Sequence, residues 1–312
     1  MKTFAKIFYL LVITGISLPA MTSEINWDNI KAESITLFYP GQSSWEWLLT
    51  KHSAAKSVRK GAPCLECHED EEADMGKIIV SGKKLEPSPI KGKPGSVKIK
   101  LKTAYDKENA YFQVQWKESQ FSSGNTGKYK TKVTLMLGDK SVKEYPVAGC
   151  WGVCHDDASN MKSFKKGDKK RQLYTSASRV KIKRTGGGDA LVDEDALEEM
   201  LEEKRFLEYW QHRIDAKSKS NLSHGYILEK RHKLKQTKFN STSTVKNGIR
   251  TVIFSRKRNK NGPGLIPLEE DHQYTLGIAL HEDFVSGRQH YVGFGRSFSL
   301  GGNDSVITAI KQ

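Results

Sequence analysis

The chain has 312 residues, of which 37% are hydrophobic and 28% charged, enough apolar material for a packed core under a heavily charged exterior. It carries 51 Lys and Arg against 36 Asp and Glu, a formal net charge of +15. No long apolar run follows the N-terminus, which excludes a polytopic membrane protein, and 4 cysteines are too few for a disulfide-dense scaffold.

The N-terminus has the pattern of a secretory signal. A basic start precedes an apolar run over residues 7–16, which is too short to span a bilayer, and small residues follow it. We therefore predict a signal peptide over residues 1–20, cleaved near Ala20 with Ser23 as the alternative, and a periplasmic location. An uncleaved membrane anchor is the competing interpretation. Export also makes nucleic acid an unexpected partner, in spite of the net charge.

The remaining elements are predicted from hydrophobic periodicity. The Gly-, Pro- and Lys-rich stretch over 82–95 is typical of a loop, and residues 193–210 have a helical period with an acidic start. Two-residue alternation and β-rich runs predict strands at 97–102, 111–116, 132–137, 142–147, 226–228, 251–254, 274–280, 290–294 and 306–310. The expected fold is mainly β: a β-sandwich domain over 82–312 with a few helices, preceded by a small irregular or helical segment over 21–81.

All four cysteines lie in two motifs that end in histidine. The first motif is C-x-x-C-H, with Cys64, Cys67 and His68, and the second is C-x-x-x-C-H, with Cys150, Cys154 and His155. In such a motif two thiols form thioethers with the vinyl groups of one porphyrin, and the adjacent histidine reaches the iron. A structural zinc site, disulfides or a redox-active dithiol would not require histidine after the second cysteine. We therefore predict two covalently attached c-type haems.

Each iron can take a second axial ligand from elsewhere in the chain. For the first haem we favour His52, which lies close upstream beside a tryptophan-rich cluster. For the second we favour His290, which shares a strand face with apolar residues and would need a partner when buried. His281 ranks lower, because it lies off the apolar face of its strand. Four further histidines in charged or polar surroundings are predicted to be solvated: His212, His224, His232 and His272.

The strand pattern and the haem motifs resemble a known family. From about Lys98 to the C-terminus, the chain is similar to the haem-binding domain of the ethylbenzene dehydrogenase and dimethylsulfide dehydrogenase gamma subunits. The matching pieces are residues 97–116, 274–281 and 290–294. The resemblance implies a β-sandwich with a few helices that holds one haem.

The chain departs from that family at the axial positions. The relatives hold a b-type haem between Met and Lys ligands. Here the stretch expected to give the Met contains the second cysteine motif, and His290 stands where the Lys is expected. The resemblance therefore implies a c-type haem with His155 and His290 as its axial pair. The earlier segment with Cys64 to His68 resembles a fused small cytochrome c module.

These features predict a periplasmic dihaem cytochrome c that transfers electrons between a respiratory donor and a terminal reductase or dehydrogenase, without bond chemistry of its own. The predicted partners are redox proteins with acidic docking surfaces, for which the basic runs 165–171 and 256–260 are candidates. Peripheral association with a membrane or with a multi-subunit redox complex is a further prediction. The alternatives are a dihaem peroxidase, which needs a mostly helical body, and a non-catalytic zinc- or haem-binding module.

Overall fold

The structure is a computed structural model. It describes residues 25–41, 43, 45–86, 89–119, 121–122, 124, 126–139, 141–155, 173–180, 190–235, 239–259, 261–285, 289–302 and 304–312. The predicted signal peptide over 1–20 lies outside these residues. Among the residues described, none of the helices has the length and apolar character needed to cross a bilayer.

Strands dominate the described part of the chain. The strands are β1 (Glu33–Phe38), β2 (Ser96–Tyr105), β3 (Asn109–Lys117), β4 (Tyr129–Gly138), β5 (Cys154–His155), β6 (Leu173–Tyr174), β7 (Leu207–Asp215), β8 (Ser220–Ile227), β9 (Arg231–Lys233), β10 (Phe239–Lys246), β11 (Ile249–Lys257), β12 (Gln273–His281), β13 (Tyr291–Val292), β14 (Arg296–Leu300) and β15 (Ile307–Lys311). The helices are α1 (Trp45–Thr50), α2 (Ala55–Arg59), α3 (Leu65–His68), α4 (Glu72–Val80), α5 (Glu144–Ala148) and α6 (Glu194–Glu202), with 3₁₀ turns at Trp27–Asn29, Gly149–Gly152 and Ser176–Ser178.

The strands form two layers that short strands join at both ends. One layer has the order β10-β11-β3-β2, and the other has the order β12-β4-β7-β8-β9. At one end β1 and β13 connect β2 to β12, and at the other end β15 and β14 do so. The β14–β15 and β15–β2 pairs are parallel, and the other pairs of this sheet are antiparallel. The prediction of a mainly β, sandwich-like fold is confirmed.

The main core lies between the two layers. On β4 the alternate side chains Val133, Leu135 and Leu137 point inward and pack with aromatic residues of the opposite layer, among them Phe112 and Phe254. The two-residue period of a strand sends the intervening side chains to the outer face of the same layer.

A second apolar cluster covers that outer face. It includes Met136 of β4, Tyr209 of β7 and Ala279 of β12. Side chains from the N-terminal helices and from the segment around Cys150 close over it. A strand that is buried on both faces needs apolar side chains at nearly every position. This explains the nearly continuous hydrophobic run of β12. Both faces of this layer therefore carry a core.

The first strand belongs to the sheet, although it lies within the range 21–81 predicted as a separate N-terminal segment. It pairs with β2 from Glu33–Leu101 to Phe38–Ser96, and with β13 at Phe38–Val292. Helix α4 packs against both β1 and β2. Residues from both predicted ranges thus contribute to one sheet.

Two of the histidines predicted to be solvated are buried. His212 is 0% exposed and its Nδ1 lies 2.6 Å from Ser241 Oγ, while His224 is 1% exposed and its Nε2 lies 2.9 Å from a carboxylate oxygen of Glu208. The prediction was wrong because it judged each histidine by its sequence neighbours. Strand alternation turns both side chains inward, where Glu208 and Arg256 form a buried ion pair of 2.7 Å.

The basic run 256–260 is not a continuous solvated face. Arg256 is 1% and Arg258 6% exposed. Arg258 Nη1 donates to the carbonyl oxygen of Asp106 at 2.7 Å, whereas the intervening Lys257 is exposed and pairs with Glu108 at 3.2 Å. The two arginines are therefore structural cations. The other basic run, 165–171, lies outside the described residues.

Two predicted elements differ from the structure. The predicted helix 193–210 ends at Glu202, and its last residues form the start of β7. Asp193 caps the observed helix by accepting a hydrogen bond from Ala196 N at 2.8 Å. The predicted strand 142–147 is instead the short helix α5. The strands β1, β5, β6, β9, β10 and β14 have no predicted counterpart.

Candidate haem sites

The first cysteine motif folds as a single helical turn. Cys64 stands at the N-cap of α3, and its carbonyl accepts hydrogen bonds from Cys67 N at 3.2 Å and His68 N at 3.0 Å. Cys64 is buried among apolar side chains, and Cys67 is exposed. One turn thus holds both thiols and the histidine on the same short element, as C-x-x-C-H spacing requires.

His52 lies beside this turn. The ring centres of His52 and His68 are 6.0 Å apart, and the ring of Trp47 contacts His52 edge-on at 5.4 Å. Two imidazoles on opposite sides of one metal have ring centres about 6 Å apart, because each nitrogen lies about 2 Å from the metal and about 1 Å from its ring centre. The observed separation fits one iron between these two rings.

The surroundings of each ring also bear on metal binding. Burial lowers the pKa of His52, and the neighbouring His68 and Lys84 lower it further, which favours the neutral imidazole that binds metals. The Nδ1 of His68 lies 2.9 Å from a carboxylate oxygen of Glu71. A carboxylate at this nitrogen holds the proton on Nδ1 and directs Nε2 to a metal.

The buried thiols are unlike those of a redox-active dithiol. Burial raises the pKa of Cys64 to about 12 and that of Cys150 to about 12. An attacking thiol in a redox-active pair has a lowered pKa, because the thiolate is the reactive form. Cys64, Cys67 and Cys150 form no disulfide, and the residues that the structure describes contain no cluster of three or more Cys, His, Asp or Glu side chains arranged to hold a metal ion.

The second motif spans a turn and a strand. Cys150 lies in the 3₁₀ turn after α5, and the backbone of β5 pairs with β6 at Cys154–Tyr174 and His155–Leu173. The side chains of Cys154 and His155 lie outside the described part of the structure, so their predicted roles stay predictions. Gly149 precedes the motif with a φ of +59°, and a Cβ there would collide with the backbone at Phe294 and Gly295. This glycine lets the turn pack tightly against the segment after His290.

A cavity of about 400 Å³ opens beside Cys150 on the outer face of the second layer. Its described lining comprises Tyr129, Lys132, Thr134, Met136, Cys150, Val153, Leu173, Tyr209, Gln211, Arg213, Ile227, Arg231, Ala279, His281 and His290. Predicted site residues Cys150 and His290 therefore share one cavity. His290 is 7% exposed, and its ring stacks on that of His281 with centres 4.4 Å apart.

The two sites touch each other. Cys64 N donates to the carbonyl oxygen of Val147, three residues before Cys150, at 2.9 Å. Both cysteines belong to the same apolar cluster. The ring of Phe294, four residues after His290, stacks on His68 with ring centres 6.5 Å apart. The predicted first and second haem sites are thus neighbours across a shared aromatic core.

Comparison with known proteins assigns the chain to a family. Residues 24–251 match the family model described as ethylbenzene dehydrogenase. The chain belongs to this family. The match includes the Cys64 motif, which the sequence analysis assigns to a separate module, and it ends before His290.

Two curated relatives of this family member match over nearly its whole length. Cytochrome c-552 of Stutzerimonas stutzeri is 32% identical over 300 residues, covering 92% of this chain and 91% of the relative. Cytochrome c-551 of Rhodocyclus tenuis is 27% identical over 293 residues, covering 92% and 99%. Among solved structures, a carbohydrate binding module of family 9 from Caldicellulosiruptor kristjanssonii, in complex with cellotriose, is 8% identical to this chain. The match covers 64% of this chain and 65% of the module's chain. Its TM-score of 0.29 is too low to support an inference.

Part of the cavity wall is apolar, as a porphyrin requires. Met136, Val153 and Ala279 make its walls apolar, and a Cβ on Gly277 would meet the hydroxyl of Tyr145 and lie 2.9 Å from Cys150 Sγ. Glycine at this position leaves room for the thiol at the cavity wall. A haem bound through Cys150 would supply one-electron chemistry, while the protein supplies the apolar enclosure and the histidines.

Sequence reasoning missed the cationic lining of this cavity and the position of His281. Lys132 of β4 pairs in register with both Arg213 of β7 and His281 of β12. The alternation within each strand can be predicted from the sequence, and it places these residues on the face opposite the core. The pairing register that brings them side by side cannot be predicted from the sequence.

Proposed function

We propose that this chain is a periplasmic dihaem cytochrome c that transfers electrons between a respiratory donor and a terminal reductase or dehydrogenase. Its two curated relatives are cytochromes c by name, which supports a haem-type electron-transfer cytochrome. The observation that carries the dihaem proposal is the separation of 6.0 Å between the His52 and His68 rings beside one cysteine pair, next to a cavity that contains Cys150 and His290.

In the proposed first site, Cys64 and Cys67 carry the haem and His68 and His52 are the axial ligands. The structure supports this with two neighbouring rings and a carboxylate on His68 Nδ1. His52 Nδ1 accepts a hydrogen bond from Ala54 N at 3.2 Å. Ligation through Nε2 requires a proton on Nδ1, so this hydrogen bond has to break when His52 binds iron.

In the proposed second site, Cys150 and Cys154 carry the haem and His155 and His290 are its axial ligands. Support comes from the apolar cavity and from the burial of His290 at its edge. Histidine on both sides of each iron leaves no open position for a substrate. It also gives lower reduction potentials than His/Met ligation would.

The adjacency of the two sites supports electron transfer between the haems. Phe294 contacts His68, and it also packs against Trp151 of the second motif with ring centres 6.3 Å apart. The mainly β body disfavours the dihaem peroxidase alternative, which needs a mostly helical one.

The proposed partners are redox proteins with acidic docking surfaces, supported by the net charge of +15. Exposed carboxylates surround Cys67, at Glu66, Glu69 and Asp70. An acidic partner is therefore expected at the second haem rather than the first. The N-terminal sequence supports export, and cell fractionation of the tagged full chain tests it.

Haem stoichiometry tests the proposal directly. Pyridine haemochrome assay and intact mass should show two covalent haems in the mature wild type. Variants Cys64→Ala/Cys67→Ala and Cys150→Ala/Cys154→Ala should each keep one haem. His290→Ala should remove one of two low-spin bis-imidazole signals in magnetic circular dichroism. A colourless mature protein, or zinc in place of iron, would overturn the proposal, and peroxide turnover by the reduced protein would favour the peroxidase.

A further inference from the structure

The outer face of the first layer, formed by β10, β11, β3 and β2, is strongly basic. These strands contain no Asp or Glu. Their two-residue period sends one set of side chains into the core and the other set to the outer face. The exposed lysines of this basic face are Lys98, Lys100, Lys117 and Lys246. No ion pair joins any of them to a residue that the structure describes.

The strand register places three of these lysines in one row. Lys117 pairs with Ile249, which pairs in turn with Lys246. The register of β2 and β3 places Lys98 beside Lys117. The row crosses all four strands of the layer, about 14 Å at about 4.8 Å per strand. Like charges at neighbouring positions of a sheet repel each other, so this row does not stabilise the fold.

The carboxylates that flank the strands in sequence have partners of their own. Glu118 follows β3, and its carboxylate lies 2.6 Å from Arg250, a buried arginine of β11. Glu108 lies in the turn between β2 and β3 and pairs with Lys257 at 3.2 Å. Neither carboxylate is a counter-ion for the row of lysines. The charge of this face is therefore available to an anionic surface outside the molecule.

The row of lysines ends at an exposed apolar hairpin. Asn247 and Gly248, with φ of +52° and +74°, form the two-residue turn between β10 and β11. On either side of this turn, Val245 is 46% and Ile249 39% exposed. Lysines next to exposed aliphatic side chains suit the boundary between lipid headgroups and acyl chains, which combines anionic charge with an apolar layer.

The basic face lies on the opposite side of the sandwich from the proposed haem sites. Cys64 and Cys150 belong to the apolar cluster on the outer face of the second layer. The two layers are stacked about 10 Å apart, with the main core between them. A redox protein seated on the basic face would be separated from both sites by the whole sandwich. This surface therefore suits a partner that does not exchange electrons.

We propose that the basic face and the tip of the β10–β11 hairpin bind the anionic phospholipid surface of a membrane. This inference extends the proposed function, and the choice of lipid over a redox protein rests on the proposed haem positions. Electrostatic attraction to the headgroups holds the lysines, and Val245 and Ile249 enter the interfacial region. The protein then lies on the membrane with its haem sites directed away from the lipid.

Co-sedimentation of the haem-loaded protein with lipid vesicles tests this inference. Wild type should bind vesicles in which a third of the lipid is phosphatidylglycerol, and should not bind pure phosphatidylcholine. High salt should release it, because exposed charges are screened. The basic-face variant replaces all four lysines: Lys98→Gln, Lys100→Gln, Lys117→Gln and Lys246→Gln. Its partition constant should fall about fivefold for each lysine, and several hundredfold for all four.

Matched controls separate the position of the charges from their number. A second variant removes the same charge from exposed lysines in and beside α2 and α4: Lys56→Gln, Lys60→Gln, Lys77→Gln and Lys83→Gln. It should keep far more of the binding than the basic-face variant does. Ile249→Ser should weaken binding about three- to tenfold. Ile310→Ser, which changes an isoleucine of β15 that is 46% exposed, should leave binding unchanged.

The outcomes separate this inference from the proposed function, because intact mass counts the haems in the same samples. A dihaem wild type that does not sediment with anionic vesicles would overturn the inference alone, as would equal losses in the basic-face and control variants. A wild type with fewer haems that binds vesicles through the basic face would overturn the dihaem proposal alone. Retention on immobilised polyglutamate without vesicle binding, lost in the basic-face variant, would assign the face to acidic proteins and overturn the inference.

Discussion

Replacing Glu208 by Gln removes the charge from the most densely bonded carboxylate of the core. Glu208 is 0% exposed. It accepts hydrogen bonds from Trp210 Nε1 at 2.7 Å, from Ile266 N at 2.8 Å and from Arg256 Nη2 at 2.7 Å, and its Oε1 lies 2.9 Å from His224 Nε2. The variant keeps the shape of the side chain but leaves the Arg256 guanidinium buried without its counter-ion, so we expect a large loss of stability.

The magnitude follows from the pKa of this carboxyl. Burial alone would raise it, but Arg256 and His224 more than compensate and lower the pKa of Glu208 from 4.5 to about 2. A difference of about 2.5 pKa units corresponds to about 3 kcal/mol of folding free energy. The cost of breaking a buried ion pair by removing one partner is also about 3–5 kcal/mol. Both arguments predict that the Glu208→Gln variant loses about 3 kcal/mol of folding free energy at neutral pH.

The pH dependence has a defined sign. A carboxyl whose pKa is lower in the folded state stabilises the protein above its unfolded pKa of about 4.5, and this contribution is lost as the pH falls towards about 2. Urea unfolding followed by circular dichroism should therefore show a difference of about 3 kcal/mol between wild type and Glu208→Gln at pH 6. The difference should shrink progressively at pH 4 and pH 3.

Glu282→Gln is the matched control. Glu282 is also buried and accepts hydrogen bonds from Trp116 Nε1 at 3.0 Å and Ser119 N at 3.3 Å, but burial raises its pKa, which favours the uncharged form. The uncharged amide in Glu282→Gln should therefore reduce the folding free energy less than the amide in Glu208→Gln does. Equal losses in the two variants, or a Glu208→Gln effect that does not change between pH 6 and pH 3, would refute the electrostatic reasoning.

Two further predictions concern the haem sites. His52→Met should raise the midpoint potential of one haem, because thioether ligation favours the ferrous state. The control His232→Met changes a histidine that stacks on Tyr226 and should leave both potentials unchanged; unaltered bis-imidazole spectra in His52→Met would exclude His52 as a ligand. Gly277→Ala should lower the fraction of molecules with two haems in the intact mass spectrum, since the added Cβ would lie 2.9 Å from Cys150 Sγ. A variant population that is uniformly dihaem would contradict the placement of Cys150 at the cavity wall.

Local patterns were sufficient to predict several of the strands and the turn of the first cysteine motif. The alternation of residues 97–102 and 111–116 predicted β2 and β3, because each strand has one buried and one more exposed face. The C-x-x-C-H spacing predicted a turn that holds Cys64 and His68 together. These features depend on residues close in sequence, whose geometry is set by the backbone alone.

Features that depend on distant pairing could not be predicted in this way. The interval 207–210 continues the apolar pattern of α6, but the helix ends at Glu202 and the interval pairs with β4 and β8. His224 was misjudged because its partner, Glu208, lies sixteen positions earlier on the neighbouring strand. The cavity combines residues from several strands, and no local signal specifies their register.

The burial of two thiols constrains how the protein is made. Cys64 and Cys150 are 8% and 4% exposed, and both lie inside the apolar cluster that joins the N-terminal helices to the sheet. The proposed attachment of porphyrin to these sulfurs requires them to be accessible to the attaching enzyme. The proposal therefore predicts that attachment precedes the packing of the N-terminal helices onto the sheet.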